Sequence, residues 1–465
     1  MALSATRRLF DWVRHRLGLD RAIAFTVMAR LCNIIGSTGT VLLIVRFLSP
    51  VEQGYYYTLL SFVALQTVFE LGFSFVILQL AAHERVHLKI HSDARIEGDP
   101  TAHARLASVL KKSVRWYSAA AAVMAFTLLP LGSEFFRSHP HSENVHWHGP
   151  WVLTVLVATI LFQIDPFFSF LEGCGFVPEV AKMRLGQSLI SIVAAWAAIM
   201  SGNGLFAPAA VIVGYAAVGF VFLVRMRRLL LHLWRYPTRT DGINWRGEIW
   251  PFQWRIAISW LCNYFTVQIF TPILFAYRGP VEAGQMGMSV SIVAYLGSLV
   301  LPWMTTKAAP FGALVAKGEF SQLDQLFFKT LRQATLFLGA IATACFLGLC
   351  LVQLEFPTLA RRMLTPRGFS LLLLTSCSSF IVQSLAIYLR SHKSEPLLKQ
   401  SVAIAVLNCI TAFLLIPRWG ILGAVGTYFI CTGVLGLISA STVFQSQRKL
   451  RWRQRVGFAE AQPQN

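Results

Sequence analysis

Arginines, asparagines and carboxylates recur at regular intervals inside stretches that are otherwise apolar. Arg30 and Arg255 carry planar, permanently charged forks suited to phosphate oxygens. Asn33 and Asn263 supply amide donors and acceptors, and Glu70 and Asp165 could neutralise an arginine or take up a coupling ion. Thr26, Arg30, Asn33, Ser37 and Thr40 follow one another at intervals of four, three, four and three, which places them on one helix face. Arg255, Ser259, Asn263 and Thr266 repeat the pattern at four, four and three. Such stripes can line a hydrophilic cleft and bind a polar substrate. They can also hold helices together, with Arg30 tied structurally to Glu70 or Asp165. Helix–helix adhesion alone does not require an arginine at depth, which favours the cleft.

Long apolar helices must position these groups. Of 465 residues, 55% are hydrophobic and 13% charged, with a mean hydropathy of +0.57, too little charge to cover a water-soluble fold of this size. Crossing a hydrocarbon layer of ~30 Å takes roughly 20 apolar residues. Twelve segments qualify, from 22–47 to 421–443. The expected fold is therefore an all-α polytopic membrane protein. Arg30 falls about 12 Å into the first span and Asp165 roughly 21 Å into the fourth, at ~1.5 Å per residue. Glu70 falls near the middle of the second. Most Lys and Arg residues fall in alternate loops, so the positive-inside rule puts both termini in the cytoplasm. The basic N-terminus (Arg7, Arg8, Arg14, Arg16, Arg21) precedes an uncleaved first span. Arg361, Arg362 and Arg367 form an outside cluster against that rule. The net charge of +20 is spread over loops on one membrane face, which reads as topology and attraction to membrane lipids, with no nucleic-acid partner.

The spans are organised by a repeat. Leu31-Cys32-Asn33 returns 230 residues later as Leu261-Cys262-Asn263, and Pro50-Val51-Glu52-x-Gly54 returns at the same offset as Pro280-Val281-Glu282-x-Gly284. Two motifs in one register indicate a duplicated unit. The division is an N-terminal six-helix bundle at 1–224, a basic cytoplasmic linker at 225–250, a C-terminal six-helix bundle at 251–445 and a disordered cytoplasmic tail at 446–465. An even number of helices per repeat implies a pseudo-two-fold along the membrane normal. Helices 1 and 7 are then expected to wall a central cleft.

Other reactive residues are less specific. His83, His87 and His91 lie at helical spacing among charges, without a carboxylate or cysteine to complete a ligand set. His139, His141, His146 and His148 share an outer loop and have the ligand type for zinc or copper, but loops of this kind usually hold no metal. The eight cysteines show no disulfide or zinc spacing. No cofactor motif and no catalytic acidic pair is present, so the chain does not read as an enzyme such as a glycan polymerase or glycosyltransferase.

Arg46-Phe47-Leu48-Ser49-Pro50-x-Glu52-x-Gly54-Tyr55, Glu70-Leu71-Gly72 and Gly420-x-x-Gly423-Ala424 resemble the oligosaccharide (O-antigen type) flippases of the multidrug/oligosaccharidyl-lipid/polysaccharide exporter superfamily. The resemblance implies a MATE-like fold of twelve helices in a bacterial inner membrane. It implies transfer of a polyprenyl-diphosphate-linked oligosaccharide from the cytoplasmic to the outer leaflet by alternating access, for surface polysaccharide biosynthesis. A coupling ion (H+ or Na+) and a polysaccharide polymerase are the partners that would accompany it. Arg30, Asn33, Arg255 and Asn263 would then bind substrate, Glu70 and Asp165 would form a charge network or couple an ion, and Lys182, Arg184 and Lys307 would attract the diphosphate or simply anchor topology. The second copy has lost the Arg and Ser of the turn motif, reading Tyr277-Arg278-Gly279-Pro280. The alternative is a cation-coupled multidrug exporter of the same fold, which would use Glu70 and Asp165 but is disfavoured by an arginine at their depth.

Overall fold

The computed structural model describes residues 21–90, 95–139, 145–238, 247, 250–392 and 395–460. Within them the fold is helical, apart from a hairpin of β1 (Leu88–Ile90) and β2 (Ile96–Gly98) that pairs Leu88 with Gly98 and Ile90 with Ile96. Among the described residues ten helices are long and apolar enough to cross a membrane, and a bent pair makes eleven. The chain is a multi-pass membrane protein. Two of the twelve expected segments, 397–416 and 421–443, lie in one stretch, Leu398–Leu450, interrupted at Gly420, where φ is 55° and ψ −133°. The chain divides into two compact units, Met1–Ala257 and Ile258–Asn465.

The first unit begins with α1 (Arg21–Phe47), followed by α2 (Pro50–Val63), α3 (Gln66–Glu70) and α4 (Phe73–Arg85). Ser49 and Glu52 form a reciprocal capping box at the start of α2: the Glu52 N–H donates to Ser49 Oγ at 3.1 Å and the Ser49 N–H to Glu52 Oε2 at 2.7 Å. Pro50 fits the first turn because its missing N–H would have had no helical partner. The second expected span breaks after Glu70, where Leu71 and Gly72 both turn left-handed (φ 54° and 66°) and the axis bends by 43°.

The unit continues with α5 (Pro100–Ser138), α6 (His148–Gly173), α7 (Val177–Met200), a 3-10 turn at Gly204–Phe206, α8 (Ala207–Arg225) and α9 (Arg227–Arg235). Helix α5 has 39 residues, about 58 Å, well beyond the hydrocarbon thickness. The charged stretch around His83 and His87 thus holds the end of α4 and the β-hairpin, followed by the first turns of α5. The start of the expected 225–250 linker is the amphipathic α9, which buries Leu229 and Leu233, while Lys111 of α5 donates to the Tyr236 carbonyl at 2.8 Å. Arg239 and Arg246 of that linker, His91, and His141 of the outer loop lie outside the described residues, as do Arg7, Arg8, Arg14 and Arg16.

The boundary between units falls within α10 (Trp250–Val267). After it come α11 (Phe270–Arg278), α12 (Pro280–Val300), α13 (Pro302–Thr305), α14 (Ala308–Lys317), α15 (Phe320–Glu355), α16 (Pro357–Ala360), α17 (Pro366–Ser391), α18 (Leu398–Thr427), a π-helical segment at Tyr428–Leu435 and α19 (Gly436–Glu460). Tyr388 packs edge to face on both Phe327 and Phe444 at its core, and those two phenyl rings are tilted by 32° to each other. Beside them Asp324 accepts from the Tyr388 hydroxyl at 2.7 Å and from Arg448 at 2.7–2.9 Å, tying α15, α17 and α19 together. Helix α19 extends to Glu460 within the expected tail, and residues 461–465 lie outside the described residues.

Candidate functional site

The first unit contains a cavity of about 550 Å³. Thr26, Arg30 and Asn33 face it from α1, Asp165 from α6 and Arg184 from α7. Close packing of α1 on α7 sets this arrangement. Side chains at Gly36 and Gly39 would overlap Ile192 and Trp196, so only glycine lets the helices approach so nearly. The polar stripe divides at this contact. Ser37 and Thr40 do not line the cavity; their hydroxyls donate to the carbonyls of Ile34 and Gly36, and Thr40 accepts from Trp196 Nε1 at 3.0 Å. The Thr40 end of the stripe therefore adheres α1 to α7, and the Arg30 end lines the cavity.

The carboxylates both face the interior of this unit. Asp165 lines the cavity and lies within electrostatic reach of Glu70 and Arg184. Pro166 follows it and withholds an N–H from the helical ladder of α6. Glu70, at the broken end of α3, interacts with Ser74 and Tyr117, whose hydroxyls lie 2.8 Å apart. Arg184 donates to Glu172 at 2.8 Å, so part of the cavity's charge is internally paired. Lys182 is exposed and does not line the cavity.

The second unit has its own cavity, of about 540 Å³. Asn263 lines it as Asn33 lines the first, together with Ser259 and Thr266. Arg255 does not: it is exposed and stacks over the Trp254 ring at 5.5 Å. At the 230-residue offset the counterpart of Arg30 is Trp260, and Trp260 does line the second cavity. The repeat register points to this tryptophan, whereas like residue types at like spacing point to Arg255. Lys307 caps α14 and does not line this cavity. Among the described residues no three His, Cys, Asp or Glu side chains converge as a metal-ligand group.

No family model matches the chain, and no curated protein matches it. Solved structures do. A multidrug resistance MATE family transporter of the MOP superfamily, in its inward-facing conformation, superposes with a TM-score of 0.61 at 13% identity, covering 92% of this chain and 98% of that one. A MATE in the straight conformation gives 0.57 at 14% identity, over 92% and 96%. The lipid II flippase MurJ in an inward closed conformation gives 0.57 at 14% identity, over 95% of this chain and 94% of that one. At such identities the likeness establishes the fold, which is MATE-like along nearly the whole chain.

Proposed function

We propose that the protein moves a polyprenyl-diphosphate-linked oligosaccharide from the cytoplasmic to the outer leaflet of a bacterial inner membrane by alternating access, for surface polysaccharide biosynthesis. The observation that carries this reading is the cavity of the first unit, which sets Arg30 beside Asn33 and Arg184 within span-forming helices. A diphosphate is the constant part of substrates whose sugars vary, and guanidinium groups hold it through paired charge-assisted bonds. Binding must also reverse on the far side, which suits a few arginines better than a dense cationic patch. Arg30 is assigned the main diphosphate contact, and Arg255, at the exposed start of α10, a weaker attracting role. The MATE-like fold and the likeness to a lipid II flippase support a transporter of this kind.

A second reading, a cation-coupled multidrug exporter, is favoured by the proximity of Asp165 to Glu70. Under the first reading those carboxylates balance the arginines when substrate is absent, or couple an ion. Purified protein in liposomes separates the two. A lipid-linked oligosaccharide added to the outer leaflet should become protected from a membrane-impermeant glycosidase, with loss of protection in Arg30→Ala and none in Arg361→Ala, an exposed arginine outside both cavities. Transport of a lipophilic cation with no movement of the lipid-linked sugar would select the exporter.

A further inference from the structure

The two cavities are alike in volume and unlike in chemistry. The first is lined by Arg30, Arg184, Asp165 and Glu172. Among the described residues the second has one ion pair, Arg390 with Glu395 at 3.2 Å, and is otherwise lined mainly by hydroxyls, amides and apolar groups. Its walls present Ser259, Asn263 and Thr266 from α10, Gln383 from α17, Gln400 from α18 and Thr432 from the π-helical segment. A mid-helix π turn widens the backbone spacing and is frequent at functional sites. Gln400 donates through Nε2 to the Gly436 carbonyl at 3.0 Å, while its buried Oε1 accepts no hydrogen bond from the described residues. Where the first unit has Arg30, this unit has the indole of Trp260, 41% exposed at the cavity.

We infer that the cavity of the second unit binds a neutral polyhydroxylated ligand, the saccharide part of the cargo. The inference rests on the transport reading above and assigns its sugar portion to a place in the fold. An uncharged sugar needs many neutral donors and acceptors for its hydroxyls and an apolar face for its C–H groups. Amides and hydroxyls supply the former. An aromatic ring supplies the latter, offering a flat apolar body at low conformational cost. A lipophilic cation would be expected to need an unpaired carboxylate, and Glu395 is engaged by Arg390. A phosphate would need a guanidinium free of a carboxylate, and Arg390 is engaged by Glu395.

The test is 19F NMR of the full chain, labelled with 5-fluorotryptophan and held in lipid nanodiscs free of sugar detergents. The Trp260 resonance is assigned by its absence in Trp260→Phe. Maltotriose, galactotriose, mannotriose and N,N′,N″-triacetylchitotriose are titrated as neutral sugars, inorganic pyrophosphate as the anion and tetraphenylphosphonium as the cation. At least one sugar should shift the Trp260 resonance saturably, pyrophosphate and tetraphenylphosphonium should leave it in place, and Asn263→Ala or Gln400→Ala should weaken the sugar by about tenfold. A Trp260 response to tetraphenylphosphonium, or to none of the four sugars, overturns the inference. Liposome transport, measured on the same preparations, keeps the two proposals distinct. Transport without a sugar response refutes this site alone, and a sugar response without transport refutes the transport reading alone.

Discussion

The Glu282 carboxylate accepts a hydrogen bond from the Ile421 N–H at 2.8 Å, joining residues 139 positions apart. Its repeat counterpart, Glu52, instead closes a local capping box with Ser49. The difference follows from one position: the second copy has Gly279 where the first has Ser49, so Glu282 has no hydroxyl partner and reaches the chain at Gly420. Arg278 reinforces that junction by donating to the Arg418 carbonyl at 2.7 Å. In the first unit the offset counterpart of Arg278 is Leu48, which packs closely against Gly204.

Glu282→Ala should therefore loosen a long-range junction, while Glu52→Ala frays one helix end. A lost cap of either kind costs about 1–2 kcal/mol. The expected result is a comparable drop in thermal stability for both, with increased hydrogen exchange at residues 418–423 only in Glu282→Ala. Unchanged exchange there would show that the Glu282–Ile421 bond does not hold the junction.

The contact between α1 and α7 should tolerate no added side chain. Gly36→Leu places atoms where Ile192 lies, and overpacking of this kind costs about 1–3 kcal/mol. Lower yield of folded protein and displacement of Arg30, read by spin-label distances between α1 and α7, are expected. Full stability with unchanged distances would contradict the close approach.

Thr40→Val separates adhesion from binding. It removes the acceptor for Trp196 Nε1 without changing side-chain size much, at about 1 kcal/mol. Thermal stability should fall slightly and substrate affinity should stay as in the wild type, whereas Asn33→Ala should do the reverse. Equal loss of affinity in both variants would place Thr40 in the cavity.

Asp99 caps α5, and the hydroxyl and N–H of Thr101 hold its carboxyl below the usual aspartate range. A folded-state pKa below the unfolded one stabilises the helix start above the ordinary aspartate pKa. That contribution disappears as pH falls through the lowered value. Exchange of the amides at 101–103 should speed up in acid in the wild type and be fast and far less pH-sensitive in Asp99→Ala, after correction for intrinsic rates. An identical acid response in the two proteins would exclude the cap.

Apolar length and the 230-residue offset made the fold class readable, because burial in lipid leaves few alternatives to helices. The offset pairs Asn33 with Asn263, and each lines the cavity of its own unit. Spacing could not divide the α1 stripe, because the partner that draws Thr40 away, Trp196, lies 156 residues along the chain. Spacing also favoured Arg255, at a helix end, over Trp260, which holds the repeat register but differs in chemistry. The break at Leu71–Gly72 was hidden because a leucine there gives no sign of a left-handed backbone.

Arg30 carries the central claim, and its direct test is the initial rate at which reconstituted protein moves a polyprenyl-diphosphate-linked oligosaccharide between leaflets. Losing one charge-assisted contact should lower the apparent affinity of Arg30→Ala by about ten- to a hundredfold, with Arg30→Lys recovering part of it. Arg255→Ala should fall by less, and circular dichroism should show all three variants folded. Wild-type rates in Arg30→Ala at limiting substrate, with the protein folded, would contradict the account.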